Sequence, residues 1–181
     1  MLLGAAGVAF EIVESRIDEI RHDGENALDF ALRMAHEKAL SVSHRFPDTL
    51  VLAADTIVEC DGQILGKPAD AAAARTILRR LSGNTHTVVT AFAIARGGTV
   101  SESVPVLSRV TFRALSPEEI AAYVATGDPL DKAGAYGIQD AGAGFIERVD
   151  GARDNVMGLP VREVLAALRR HGIAASREES D

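Results

Sequence analysis

The stretch Leu50-Val51-Leu52-Ala53-Ala54-Asp55-Thr56-Ile57-Val58 constrains the fold more than any other part of the chain. Its first five residues form a continuous apolar run, the pattern of a strand covered on both faces rather than one with a wet side. A carboxylate set inside such a run is costly to bury unless it is paired, bound to a cation or turned into a cleft. Shortly after comes Asp61-Gly62, the residue pair a two-residue hairpin turn prefers, so Gln63-Ile64-Leu65 is expected to return antiparallel and to end at Gly66-Lys67-Pro68.

Around this unit the pattern alternates between helix and strand. Met1 to Ala6 reads as the back half of a helix stopped by Gly7; it offers no Ser, Thr, Asp or Asn as a cap, which predicts that the gene product starts further upstream. Val8 to Val13 reads as a strand. From Asn26 to Ala39 the residues Ala27, Phe30, Ala31, Met34 and Ala35 recur at helical spacing, and Lys38 falls on their stripe. Asp70 can cap a helix whose Ala74, Ile77, Leu78 and Leu81 face inward, with Gly83 as its stop.

Thr87 to Ala95 and Val104 to Phe112 read as strands joined through Gly97-Gly98. Ser116-Pro117-Glu118-Glu119 carries the serine, proline and glutamate of a capped helix start, with the helix running through Val124. The glycine-rich stretch Lys132 to Gly144 suggests backbone packed closely, as in a loop lining a ligand. Phe145 to Val149 reads as a strand, and Pro160 opens an amphipathic helix on Val161, Val164, Leu165 and Leu168. The tail after Gly172 is polar and expected to fray. Interleaved helices and strands, with hairpins mixed with crossovers and no repeat or linker, predict one α/β domain over residues 1–181 with a mixed sheet.

Composition narrows the function classes. A chain of 181 residues with 47% hydrophobic and 25% charged residues supports one folded domain with a continuous core. The formal net charge of −7 disfavours gripping long nucleic acid, yet a small triphosphate needs only a few placed lysines and a divalent cation. No apolar run of about 18 residues is long enough to span a bilayer, and no basic leader precedes the first residues. A single cysteine, Cys60, excludes an internal disulfide framework, so the reducing cytoplasm is the expected address.

Three features could carry chemistry. Asp55 is the carboxylate in the buried run. Lys67 stands between a flexible and a rigid residue, a plausible hand for phosphate, although Gly62 to Pro68 has three residues between its glycines and lacks the Ser or Thr of a P-loop. Asp18-Glu19 and Lys38 place further charge near a short strand and on a helix stripe. The histidines His22, His36, His44, His86 and His171 show no metal-ligand spacing.

Together, Ala54-Asp55-Thr56, Leu65-Gly66-Lys67-Pro68, Leu81-Ser82-Gly83-x-x-His86, Asp131-Lys132-Ala133-Gly134-Ala135-Tyr136-Gly137-Ile138-Gln139 and Gly158-Leu159-Pro160 resemble the Maf family of nucleotide pyrophosphatases, in order and over nearly the whole chain. The resemblance implies a two-lobed α/β fold with a central cleft. It also implies metal-dependent hydrolysis of a nucleoside triphosphate between the α and β phosphates. Asp55 matches the family's proton acceptor, and Glu19, Lys38 and Lys67 match its charged partners. Glu19 and Asp55 are the expected ligands of Mg²⁺ or Mn²⁺, Lys38 and Lys67 the expected phosphate holders, with Lys132 beside them.

Thr56 and Gln139 match the branch resembling dTTP and UTP pyrophosphatases, whose hydroxyl and amide can pair with a pyrimidine edge. The partners expected are a nucleoside triphosphate and a second copy in a homodimer, with no membrane or long nucleic acid. A sister branch acting on 7-methyl-GTP is the nearer enzymatic alternative. One departure is notable: family members begin with a strand and a Ser-x-Ser-Pro-Arg-Arg loop, and this sequence has neither. That departure motivates the competing expectation of a non-catalytic nucleotide-binding or regulatory module linked to division arrest.

Overall fold

A computed structural model describes residues 2–175. The chain folds as α1 (Leu2–Ala5), α2 (Ala27–Arg45), β1 (Val51–Cys60), β2 (Gln63–Leu65), α3 (Ala71–Leu81), β3 (Thr85–Arg96), β4 (Thr99–Phe112), α4 (Pro117–Ala125), β5 (Ile146–Asp150), α5 (Arg153–Val156) and α6 (Val161–Arg170), with short 3₁₀ turns between Asp128 and Phe145. The expected fraying of the tail concerns residues that lie partly outside this range, from 176 onward.

Local signals act where the residue types place them. The Asn26 side chain accepts from the Asp29 N–H to open α2, and Asp70 does the same for α3 through Ala73. Ser116 and Glu119 form the reciprocal capping box of α4. Asp61 and Gly62 both take positive φ, the requirement of a tight hairpin turn whose twist matches its strands.

The strands form one sheet in the order β2-β1-β3-β4-β5. The α/β class is as expected, but the four pairings are all antiparallel, where a mixed sheet was expected. The reason lies in the topology. The crossover through α3 joins β2 to β3, which run in the same direction, but β1 is inserted between them, so the two never pair.

β3 is buried along almost its whole length, and its alternation sends Val89, Ala91, Ala93 and Ala95 to one face and Val88, Phe92 and Ile94 to the other. On the first face α2 lies against the sheet through Ala27, Phe30, Ala31, Met34, Ala35 and Ala39. Alanines facing alanines let helix and sheet approach closely. The second face carries two separate apolar clusters. Leu78, Leu81, Ile120, Tyr123, Tyr136 and Phe112 pack at one end; Leu3, Val8, Phe92, Ile94, Val164 and Leu168 pack at the other. Between them runs a polar seam of Thr56, Thr90, Ser108 and Asn155, the last three buried. The seam therefore separates the two apolar clusters of this face.

The expected strand at Val8–Val13 does not form: residues 8–22 run as irregular backbone along α2, and Phe10, Ile12 and Val13 are exposed. Side chains of α2 take up that backbone instead. The Ser41 hydroxyl donates to the Ser15 carbonyl, the Arg45 guanidinium to that of Glu14, and Arg33 Nη2 to that of Ile20 at 2.9 Å.

One buried base anchors the glycine-rich loop. His86 Nε2 lies 2.8 Å from the Tyr136 hydroxyl, edge-on to both Tyr136 and Phe112, while its Nδ1 is buried with no partner among the described residues. Burial pushes the imidazole down to about 4 from the ordinary 6.5, so it is neutral in the fold at pH 7. The unfolded chain takes up the proton near 6.5, so the stability that neutral His86 contributes is fully present above that pH and is lost as pH falls toward 4. A shift of that size corresponds to on the order of 3 kcal/mol. Thermal melts between pH 6.5 and 5 are expected to fall less steeply for His86→Gln than for the native protein. Parallel slopes would mean that His86 is not the group responsible.

Candidate active site

A cleft of about 510 Å³ opens across the edge of β1. β2 pairs only with Val58–Cys60, so the segment from Val51 to Ile57 has no neighbour on that side among the described strands. Because side chains alternate along a strand, Asp55 points to the α2 face and Thr56 to the opposite face. The cleft, wrapping over an open edge, is reached by both. All seven nominated residues line it: Glu19, Lys38, Asp55, Thr56, Lys67, Lys132 and Gln139.

On the α2 face the charges meet around one ammonium. Lys38 Nζ lies 2.5 Å from Asp55 Oδ1 and 2.5 Å from Glu19 Oε1, and Lys67 Nζ stands 3.8 Å from Glu19 Oε2. Lys38 reaches this position from the end of the alanine-lined stripe of α2. Glu19 is carried by the irregular segment, which α2 clamps through Arg33 and Ser41 on either side. Lys67 follows β2, just past the hairpin. Residues from four separate segments thus come within reach of a single small ligand.

Their environments differ. The Asp55 side chain is only 10% exposed, and burial raises its carboxyl above the usual range despite the neighbouring Lys38. Glu19, at the rim, is held below the usual range by its hydrogen bond to Lys38. Burial works against the charge on Lys38, but the two carboxylates more than offset it and keep the ammonium protonated. The result is a fixed cation flanked by one recessed and one exposed carboxylate.

No group of three or more His, Cys, Asp or Glu among the described residues forms a metal site made by protein alone. Two carboxylates beside a phosphate-sized space are, however, the donor set that Mg²⁺ uses when substrate oxygens and water complete its shell. Glu19 and Asp55 therefore fit a cation that binds together with a polyphosphate.

The opposite wall is the loop from Lys132 to Gln139. Gly134 donates its N–H to the Gly66 carbonyl at 3.2 Å with φ +72, and a Cβ there would press within 3.0 Å of Val58, so glycine is required for the loop to lie against β1. Lys132 lines the cleft, but its ammonium is engaged by its own loop: it donates to the Asp128 carbonyl at 2.7 Å and pairs with Asp131 at 2.8 Å. Gln139 is exposed at the cleft mouth. Tyr136, Met157 and Gly158 also line the space, and sequence reasoning assigned them no site role.

Residues 1–171 match the sequence profile of a family described as Maf-like protein. The chain belongs to the Maf family. Among Maf-family relatives, a protein of Geobacter metallireducens named dTTP/UTP pyrophosphatase is 47% identical over 94% of this chain and 90% of its own length. One of the same name from Methylobacillus flagellatus is 50% identical over 96% of this chain and 87% of its own. Another, from Syntrophomonas wolfei subsp. wolfei, is 46% identical over 98% and 95%. No helix among the described residues is long and apolar enough to cross a membrane.

Proposed function

We propose that this Maf-family chain hydrolyses nucleoside triphosphates between the α and β phosphates, with dTTP and UTP as preferred substrates, releasing a monophosphate and pyrophosphate. The observation that carries this reading is the meeting of Glu19, Lys38, Asp55 and Lys67 at one end of a nucleotide-sized cleft. Relatives named dTTP/UTP pyrophosphatase, close to half identical over most of the chain, support the choice of substrate.

Each residue has a task that its position suits. Lys67, the most exposed of the four, extends into the open cleft and binds phosphate oxygens. Lys38 holds Oδ1 of Asp55 in place, leaving the other carboxylate oxygen to orient the attacking water and accept its proton. Burial makes Asp55 a stronger proton acceptor than a solvated carboxylate. Glu19 and Asp55 would hold Mg²⁺ or Mn²⁺, which when bound neutralises charge on the phosphate oxygens. Across the strand edge, Thr56 and Gln139 face the nucleoside. Lys132 supports that wall rather than the phosphates. A cytoplasmic address suits a chain whose cysteine, Cys60, is a buried free thiol.

The test is phosphate release from dTTP, UTP and 7-methyl-GTP with Mg²⁺ or Mn²⁺, read with malachite green after adding inorganic pyrophosphatase. Turnover of dTTP and UTP ahead of 7-methyl-GTP is expected. Tight calorimetric binding with no phosphate from any triphosphate would replace the enzyme by a nucleotide-binding module.

A further inference from the structure

We propose that Thr90 is a positioning residue that fixes Thr56 as a hydrogen-bond acceptor toward the nucleoside, so that the cleft selects a ligand offering an N–H or O–H at that point. The proposal rests on the pyrophosphatase reading for the nucleoside beside Thr56 and for its choice of probes. Its basis is a count of protons in the polar seam.

Thr90 is fully buried, and its hydroxyl donates to the Asn155 carbonyl at 2.8 Å. A carbonyl oxygen only accepts, so the single proton of that hydroxyl is committed. Thr56 Oγ1 lies 2.9 Å from Thr90 Oγ1. With the Thr90 proton already used, Thr56 must be the donor of this pair. The Thr56 proton therefore points into the sheet, and what remains for the cleft is lone pairs.

The far end of the chain is equally fixed. Asn155 donates through Nδ2 to the Val88 carbonyl at 3.2 Å and to Ser108 Oγ at 3.0 Å, and Ser108 in turn donates to the Ala152 carbonyl at 2.9 Å. The same Asn155 carbonyl also accepts from the Gly158 N–H at 3.0 Å. Gly158 lines the cleft with φ +97, and a Cβ there would stand 3.3 Å from Thr56 Oγ1. One buried carbonyl thus sets both the direction of the Thr56 hydrogen bond and the wall beside it. Thr56 itself is β-branched, with little freedom at χ1 to turn away.

UTP has nucleoside donors in two places, the imide N–H of the base and the hydroxyls of the sugar. The experiment compares UTP with 3-methyl-UTP, which lacks the imide N–H, and with 2′,3′-dideoxy-UTP, which lacks both sugar hydroxyls. For the native protein, one analogue is expected to lose about tenfold in kcat/KM, mainly through KM, the size of one good hydrogen bond. In Thr90→Val the Thr56 proton is free to turn outward, and the contrast should shrink to within about twofold. Thr90→Ser, which keeps the hydroxyl, should restore it.

Native protein indifferent to both analogues, or Thr90→Val with the contrast intact, overturns the proposal. If Thr90→Val does not fold, Thr56→Val serves instead: it removes the acceptor and must abolish the same contrast. Should no triphosphate be turned over, the function reading fails, and the contrast is then read in calorimetric affinities for the three nucleotides.

Discussion

Replacing Asp55 by asparagine is expected to lower turnover of dTTP and UTP by about a thousandfold or more, with little change in melting temperature. Asparagine keeps the size of the side chain and an oxygen to accept from Lys38, but cannot take a proton from water or carry charge toward a cation. Removing a positioned acid–base group costs about 10² to 10⁴ in rate, and here the same residue is proposed to serve a cation as well. Fold should survive because burial already disfavours the charge at this position. Steady-state kinetics with thermal denaturation checks both halves. Turnover within tenfold of native would remove Asp55 from the centre of the mechanism.

Lys38→Met is expected to cost about a hundredfold in kcat/KM, for a different reason. Among the described residues its ammonium is the one group that pairs with both carboxylates, at 2.5 Å each. Methionine fills the stem against the alanine-lined stripe but leaves Glu19 and Asp55 facing each other without a shared cation. Lys67 stays near Glu19 but, at 61% exposure, is too solvated to hold the pair in place. Lys38→Arg should recover only part of the loss, since a planar fork does not reproduce a point charge between two oxygens. Full activity in Lys38→Met would show that the triad's geometry is incidental.

Much of the fold could be read from local pattern. The stripe of α2, the turn at Asp61-Gly62 and the capping box at Ser116 each name their element because the physics is confined to neighbouring residues. Sheet direction was not legible in that way. Interleaved elements announce a crossover at α3, but nothing in the sequence says that β1 will occupy the slot between β2 and β3. Val8 to Val13 misled for a related reason: its alternation suits a strand, but no strand among the described residues pairs with it, and the backbone that follows it is held at Glu14 and Ser15 by side chains of α2, at separations no local rule reads.

The candidate site divides along the same line. Asp55 stood out because a charge inside an apolar run needs an explanation, whereas Glu19, Lys38 and Lys67 gained weight only through the family resemblance. Thr90 carried a comparable signal, a lone hydroxyl in the otherwise apolar core of β3. Its meaning appears only once β1 sets Thr56 directly opposite and α5 brings the Asn155 carbonyl behind it. The glycine at position 158 likewise looks like a turn until its φ and its nearness to Thr56 are known.

Identification of the products by ³¹P NMR during turnover of UTP with Mg²⁺ tests the central proposal most directly. Attack between the α and β phosphates, directed by Asp55 and the two lysines, yields UMP and pyrophosphate with no UDP at any time. Appearance of UDP and inorganic phosphate, or a spectrum of unchanged UTP, would contradict it.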